Sequence, residues 1–162
     1  WDPNTPEKLV YCGTKKMTEF IEGIEPNIGQ LILSPTRTYM PIMNLVLREL
    51  RSKIHGLIHC SGGAQTKILH YVDNVHVIKD NLFEVPPLFE LIQAQSGTDW
   101  KEMYQVFNMG HRLEVYLPEQ YAQTIIDISK SFNIDAQIVG RVENSDKKQL
   151  TIKTEKATYT YH

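Results

Sequence analysis

Cysteine is scarce in this chain: Cys12 and Cys60 are the only two among 162 residues. They stand far apart and match neither a zinc-ligand spacing nor a Cys-x-x-Cys redox pair. That excludes both of those centres and leaves reduced thiols in a cytoplasmic protein as the expectation. Long apolar runs are missing as well. None approaches the roughly 20 residues of a bilayer-spanning helix, so no membrane partner is expected. No signal-peptide pattern opens the chain. There is no basic excess, the formal net charge being −2, which argues against nucleic acid as a partner. Internal repeats and low-complexity stretches are absent. There is no initiating Met either: the chain starts at Trp1, and a piece of a longer protein is expected. The histidines do not cluster. His55 and His59 lie four apart, but in a strand-like context, so they do not share a helix face and no metal site is assigned. His70, His76, His111 and His162 read as lone histidines, structural or solvated.

What is present is an ordinary globular composition, 41% hydrophobic and 22% charged, in a chain long enough to bury a core as one domain. Residues 1–30 read as an irregular lead-in with one short helix over 14–21. Leu31-Ile32-Leu33 reads as a strand. Pro41 suits a first helical turn, and Met43, Val46, Leu47, Leu50 and Ile54 then fall on one helix face. Strands are expected at 56–60 and 75–79, and Pro86-Pro87 opens a helix carrying Leu88, Leu91 and Ile92. Asp99 caps a helix with Glu102 as its capping-box partner. Leu113, Val115 and Leu117 alternate with polar residues as in a strand. Pro118 starts a helix that Asn133 stops. Ala136, Ile138, Gly140 and Val142 alternate along another strand. The tail, 150–153 and 158–161, reads as a β-hairpin. Strands and helices mix throughout, so an α+β domain with helices covering a mixed sheet is expected.

Three segments carry candidate chemistry. In His59-Cys60-Ser61-Gly62-Gly63-Ala64, a strand ends, a glycine turn follows and a helix begins. Backbone N–H groups at such a junction hold anions, and glycines let a ligand come close. His59 adds an imidazole that can donate, accept or carry charge. The run Gly62-Gly63-Ala64-Gln65-Thr66-Lys67 fails as a P-loop, because Thr66 precedes the lysine and Ile68 follows it. The alternative is a turn that only joins strand to helix, and spacing does not decide between the two. Phe107-Asn108-Met109-Gly110 is either a ligand loop or a helix C-cap. Ser34-Pro35-Thr36-Arg37-Thr38-Tyr39 places an arginine among hydroxyls, fit for phosphate or for capping the next helix.

Taken together, these segments resemble phosphoribosylformylglycinamidine cyclo-ligase, also called aminoimidazole ribonucleotide synthetase. The matching pieces are residues 33–39, 54–63, Val85-Pro86-Pro87-Leu88-Phe89-Glu90-Leu91-Ile92, 102–110 and Ile138-Val139-Gly140-Arg141-Val142. The resemblance runs from about Leu31 to about Val142. It implies a C-terminal domain over 31–162: an α/β/α-layered, partly ferredoxin-like α+β fold. The family's N-terminal domain, which supplies most of the ATP and Mg²⁺ site and the main homodimer contact, is not in this sequence. The implied activity is ATP-dependent ring closure of formylglycinamidine ribonucleotide to aminoimidazole ribonucleotide, in the cytoplasm. The residues carried over are His59 as the catalytic group, with Thr36, Arg37, Ser61, Gly62, Gly63, Asn108 and Gly110 binding the nucleotide substrate. Two positions depart from the family pattern. Ala64 stands where a third glycine is usual, and Gly110-His111-Arg112 replaces a Gly-x-Gly. Both mark a divergent subgroup. The alternatives are a non-catalytic interaction domain of the same fold, or a related ATP-using enzyme such as selenophosphate synthetase or thiamine monophosphate kinase. The fragment alone is expected to be inactive.

Overall fold

The computed structural model describes residues 3–6 and 13–162. Cys12 and most of the expected irregular lead-in before it lie outside the described residues. The helix expected over 14–21 does not form. The segment runs as turns, and its carbonyls serve another element: Ile28 N–H donates to Glu19 O at 2.9 Å and Gly29 N–H to Met17 O at 2.8 Å. The helix lies later, as α1 (Ile28–Ile32), where Asn27 and Gln30 form a reciprocal capping box. This also overturns the strand expected at Leu31–Leu33. Three apolar residues are too few to show a period, and the cap decides the conformation.

Helix α2 (Met40–Leu50) has Pro41 in its first turn and buries Ile42, Val46 and Leu50, spaced by four. Ile54 lies beyond it, after a 3-10 turn. The chain then makes β1 (Gly56–His59), a 3-10 helix at Ala64–His70, and β2 (Val75–Lys79). Helices α3 (Pro87–Ser96) and α4 (Trp100–Val106) follow. Asp99 caps α4 through the Lys101 N–H at 2.8 Å. Strand β3 (Leu113–Tyr116), α5 (Ala122–Ser131), β4 (Gly140–Asn144), β5 (Gln149–Lys153) and β6 (Thr158–Tyr161) complete the chain. Strand β4 begins at Gly140, later than the alternation from Ala136 predicts.

The fold is α+β with a mixed sheet, as the sequence indicates, and it ends in the expected hairpin. The strands form two groups. A four-stranded sheet has the order β4-β2-β5-β6, with β2 and β5 parallel and the other pairs antiparallel. Strands β1 and β3 form a separate antiparallel ribbon, with Ile58 opposite Glu114 and His59 opposite Leu113. The core lies on one face of the sheet, where Val77, Leu150 and Ile152 meet Ile68, Leu69, Met103 and Tyr104. The 3-10 helix and α4 cover that face.

The polar alternation of β3 is inverted in space. Glu114 is buried, whereas Leu113 and Val115 on the opposite face are only half-buried. The inner face of the ribbon therefore meets the sheet with a carboxylate. Because successive strand residues point to opposite faces, His59 sits on the face away from Ile58 and Glu114.

Candidate functional site

A broad cleft of about 1590 Å³ is bounded by α2, α5, the β1–β3 ribbon and β2. Its lining takes in both faces of the ribbon, His59 from one and Glu114 from the other, together with Lys67, Gly110 and His111. His59 is the exposed last residue of β1. Its carbonyl accepts from Lys67 Nζ at 3.1 Å, and the same ammonium donates to Ser61 Oγ at 3.1 Å. Lys67 thus sets a positive charge against the glycine turn. The failed P-loop comparison drew attention to this lysine without giving it a role.

The turn itself departs from expectation. Gly63 has φ +83°, and the helix after it is a 3-10 helix rather than an α-helix. Much of its donor capacity is already used: Ser61 N–H bonds His59 O, Ala64 N–H bonds Ser61 O, and Thr66 N–H bonds Gly63 O. Gly62 and Gly63 line a second recess of about 720 Å³ with Thr66, His70, Asp99 and Lys101. The structure therefore puts His59 and the two glycines in adjoining recesses rather than in one. Thr36 and Arg37 lie on the exposed loop before α2, lining neither recess. The Arg37 guanidinium bonds Ser34 Oγ at 3.3 Å.

Asn108 is a turn-forming residue. Its Oδ1 accepts from Gly110 N–H at 2.9 Å, and its carbonyl accepts from Gln65 Nε2 at 2.7 Å. Gly110 is needed as glycine: it has φ +89°, and a Cβ there would lie 3.0 Å from Pro86 Cδ. The 107–110 segment thus ties the end of α4 to the loop before α3.

Behind the cleft lies a buried polar cluster that sequence reasoning missed. Lys79 on β2 donates to Gln65 O at 2.9 Å, to Gln65 Oε1 at 3.0 Å and to Glu114 Oε1. All three ammonium protons are thereby used. Glu114 also meets His111 Nε2 at 3.1 Å and accepts from Tyr116 O–H. Burial alone raises the Glu114 pKa, but the His111 hydrogen bond, the Lys79 charge and the remaining contacts outweigh it and hold the pKa at about 2. Burial first, then the Glu114 charge, push the Tyr116 hydroxyl far up, so it remains a donor. His111 belongs to this cluster. The only signal in the sequence was a histidine and a glutamate three residues apart at the head of a strand.

Cys60, His111 and Glu114 bring three potential ligand atoms within 4.8 Å of one another, all buried. The Lys79 ammonium already rests on the same carboxylate, so a cation is built into the cluster and opposes a second one. A thiol and an imidazole also suit Mg²⁺ poorly, since that ion takes oxygen ligands. No helix among the described residues is long and apolar enough to cross a membrane.

Comparisons with known proteins agree with the resemblance read in the sequence. Residues 15–153 match the family model described as "AIR synthase related protein, C-terminal domain". A phosphoribosylformylglycinamidine cyclo-ligase of Syntrophus aciditrophicus is 32% identical over 156 residues, covering 90% of this chain and 42% of the relative. One from Methanocaldococcus jannaschii is 35% identical over 118 residues, covering 73% of this chain and 34% of the relative. This chain thus spans about two fifths or less of the length of these relatives. Among solved structures, HypE of E. coli, a hydrogenase maturation protein, matches with a TM-score of 0.56 at 15% identity, covering 84% of this chain and 44% of that one. That likeness concerns the fold alone. The family model covers most of the chain, and the chain belongs to the AIR synthase related proteins, as their C-terminal domain.

Proposed function

We propose that the full-length protein is an ATP-dependent phosphoribosylformylglycinamidine cyclo-ligase of purine biosynthesis, acting in the cytoplasm. In that reaction ATP activates the amide oxygen of formylglycinamidine ribonucleotide. An internal amine then attacks and closes the imidazole ring, and ADP and phosphate leave. The observation that carries this reading is the shared name of relatives matching between 72% and 90% of this chain.

The division of labour follows from what these residues offer. Residues 31–162 are the C-terminal domain and contribute one wall of the substrate cleft. His59, exposed at the end of β1, orients or protonates the amide under activation, work open to an imidazole that can donate or accept a proton. The amides of Gly62 and Gly63 and the Lys67 ammonium hold the substrate phosphate, with Ser61 as a lesser contact. Thr36 and Arg37 are a second contact from the loop that feeds α2, whose neighbour Tyr39 lines the cleft. Asn108 fixes Gly110 at the rim. The described residues do not fit Mg²⁺, and no step through it is assigned to them. ATP and Mg²⁺ belong mainly to the N-terminal domain, which also makes the homodimer.

The test is turnover by the full-length protein, with aminoimidazole ribonucleotide and ADP formed in step. Residues 1–162 alone are expected to be silent. His59→Ala should lower kcat at least about a hundredfold, the lower range for a general acid or base, with melting unchanged. Full-length protein that consumes no formylglycinamidine ribonucleotide would overturn the reading. Wild-type kinetics in the His59 variant would remove that residue from it.

A further inference from the structure

A buried acceptor beside the cleft has no donor. His111 is 3% exposed, and its Nδ1 finds no hydrogen-bond partner among the described residues. The other ring nitrogen, Nε2, lies 3.1 Å from Glu114 Oε1. That carboxylate also receives Lys79 and Tyr116, and an ionised carboxylate only accepts. Nε2 therefore carries the ring proton, a tautomer assigned from the hydrogen-bond network. In the neutral imidazole Nδ1 is then a bare lone pair.

The rest of the cluster is complete. Lys79 has three acceptors and Glu114 has three donors. Buried polar atoms are almost always paired, so one unpaired lone pair in such a network marks a place for a donor. Its surroundings say where that donor comes from. His111 follows Gly110 and lines the same cleft as His59. Phe83, whose ring meets the imidazole edge-on at 6.0 Å, lines it too. Nδ1 is closed to solvent, so a donor reaches it only as the cleft rearranges around a ligand.

We propose that His111 is a ligand-binding residue, whose Nδ1 accepts a hydrogen bond from an N–H group of the molecule held in the cleft. The chemistry selects the class of group. In the neutral ring the Nδ1 lone pair repels phosphate and carboxylate oxygens and accepts from an amidine or amide N–H. The inference deepens the cyclo-ligase reading and rests on it: formylglycinamidine ribonucleotide carries such an amidine, whereas its phosphate belongs at the glycine turn.

Two variants of the full-length protein separate this contact from packing. His111→Gln keeps a side-chain N–H for Glu114 and loses the Nδ1 lone pair. His111→Asn keeps an acceptor near the Nδ1 position and gives up Glu114. Isothermal titration with formylglycinamidine ribonucleotide should show the Gln variant binding about tenfold more weakly, the loss of one hydrogen bond, while it melts like the parent. The Asn variant should melt lower yet keep more affinity. ¹⁵N NMR of histidine-labelled protein should show an unprotonated Nδ1 whose resonance moves when the ligand is added. Parental affinity in the Gln variant overturns the proposal. So does an Nδ1 that is protonated in the free protein, or that keeps a resident water and does not respond. Ligand binding that shifts His59 but not Nδ1 overturns this inference alone. A parent protein that does not bind the ligand overturns the cyclo-ligase reading and this inference with it.

Discussion

Lys79 and Glu114 form a buried ion pair that bridges the two groups of strands. Lys79 lies on the core face of the four-stranded sheet, opposite Ile152 on β5. Glu114 projects from the β1–β3 ribbon, opposite Ile58. Their side chains are 2% and 4% exposed. No strand of the ribbon is hydrogen-bonded to a strand of the sheet, so this pair is the polar link that sets the ribbon, with His59 on its other face, against the core.

Removing one partner should therefore cost far more than removing both. Lys79→Met strands a carboxylate beside Tyr116 and His111. Glu114→Leu strands an ammonium. Each should destabilise by roughly 3–5 kcal/mol, the usual cost of breaking a buried pair. The double variant should lose much less than the sum, since hydrophobic replacement of a whole pair is often close to neutral. Urea unfolding of the four proteins measures the coupling. Additive losses would show that the pair does not act as a unit.

The same carboxylate gives a pH signature. Its folded pKa is depressed from 4.5 to about 2. A depressed acid stabilises the fold above its unfolded pKa, and this stability is lost as pH falls through the folded value. The loss attributable to Glu114 should thus appear between about pH 4.5 and pH 2. Melting curves of Glu114→Gln and the parent should converge across that window as the parent loses its advantage. A difference that stays constant down to pH 2 would contradict the shift.

The legibility of the fold follows from how much each signal depends on its neighbours. The β5–β6 hairpin and α2 are local: strict alternation in one, spacing of four in the other. The lead-in is not local, because its carbonyls at Met17 and Glu19 are claimed by amides ten or so residues on. In β3 the pattern was visible but its sense was not. Leu113 and Val115 look like the buried face, yet Glu114 is the buried residue, since Lys79, thirty-five positions earlier, supplies its counter-charge. A polar residue that is paired across the fold cannot be told from a solvated one by periodicity. His59 and the glycine turn were legible because a strand end, two glycines and a helix start are contiguous. Their separation into adjoining recesses was not, because it depends on how α4 packs over the turn.

Cys60 should be inert in the folded protein. Burial, then the Glu114 charge, push its thiol up to about 12, and the residue is 3% exposed. The thiolate is the nucleophile, so hardly any is present at pH 8. Iodoacetamide followed by peptide mass spectrometry should leave Cys60 unmodified in the native state and label it fully in denaturant. Rapid native labelling of Cys60 would contradict its place behind the cleft.

The glycine turn offers the cleanest separation of binding from folding. A side chain at Gly62 would meet nothing within 4 Å, whereas Gly63 sits at φ +83°. Gly63→Val therefore mixes backbone strain with any effect on a ligand, because a β-branched residue resists that conformation. Gly62→Val does not. If the amides of this turn hold the substrate phosphate, Gly62→Val should melt like the parent and raise KM by about tenfold or more, the equivalent of a lost charge-assisted hydrogen bond. Lys67→Met should raise KM similarly, since it removes the ammonium that bonds His59 O and Ser61 Oγ. Ser61→Ala should matter less, because its hydroxyl is engaged by Lys67 and its amide by His59 O. Native melting together with native KM in both Gly62→Val and Lys67→Met would remove the anion from this turn and leave it as a connection between β1 and the 3-10 helix.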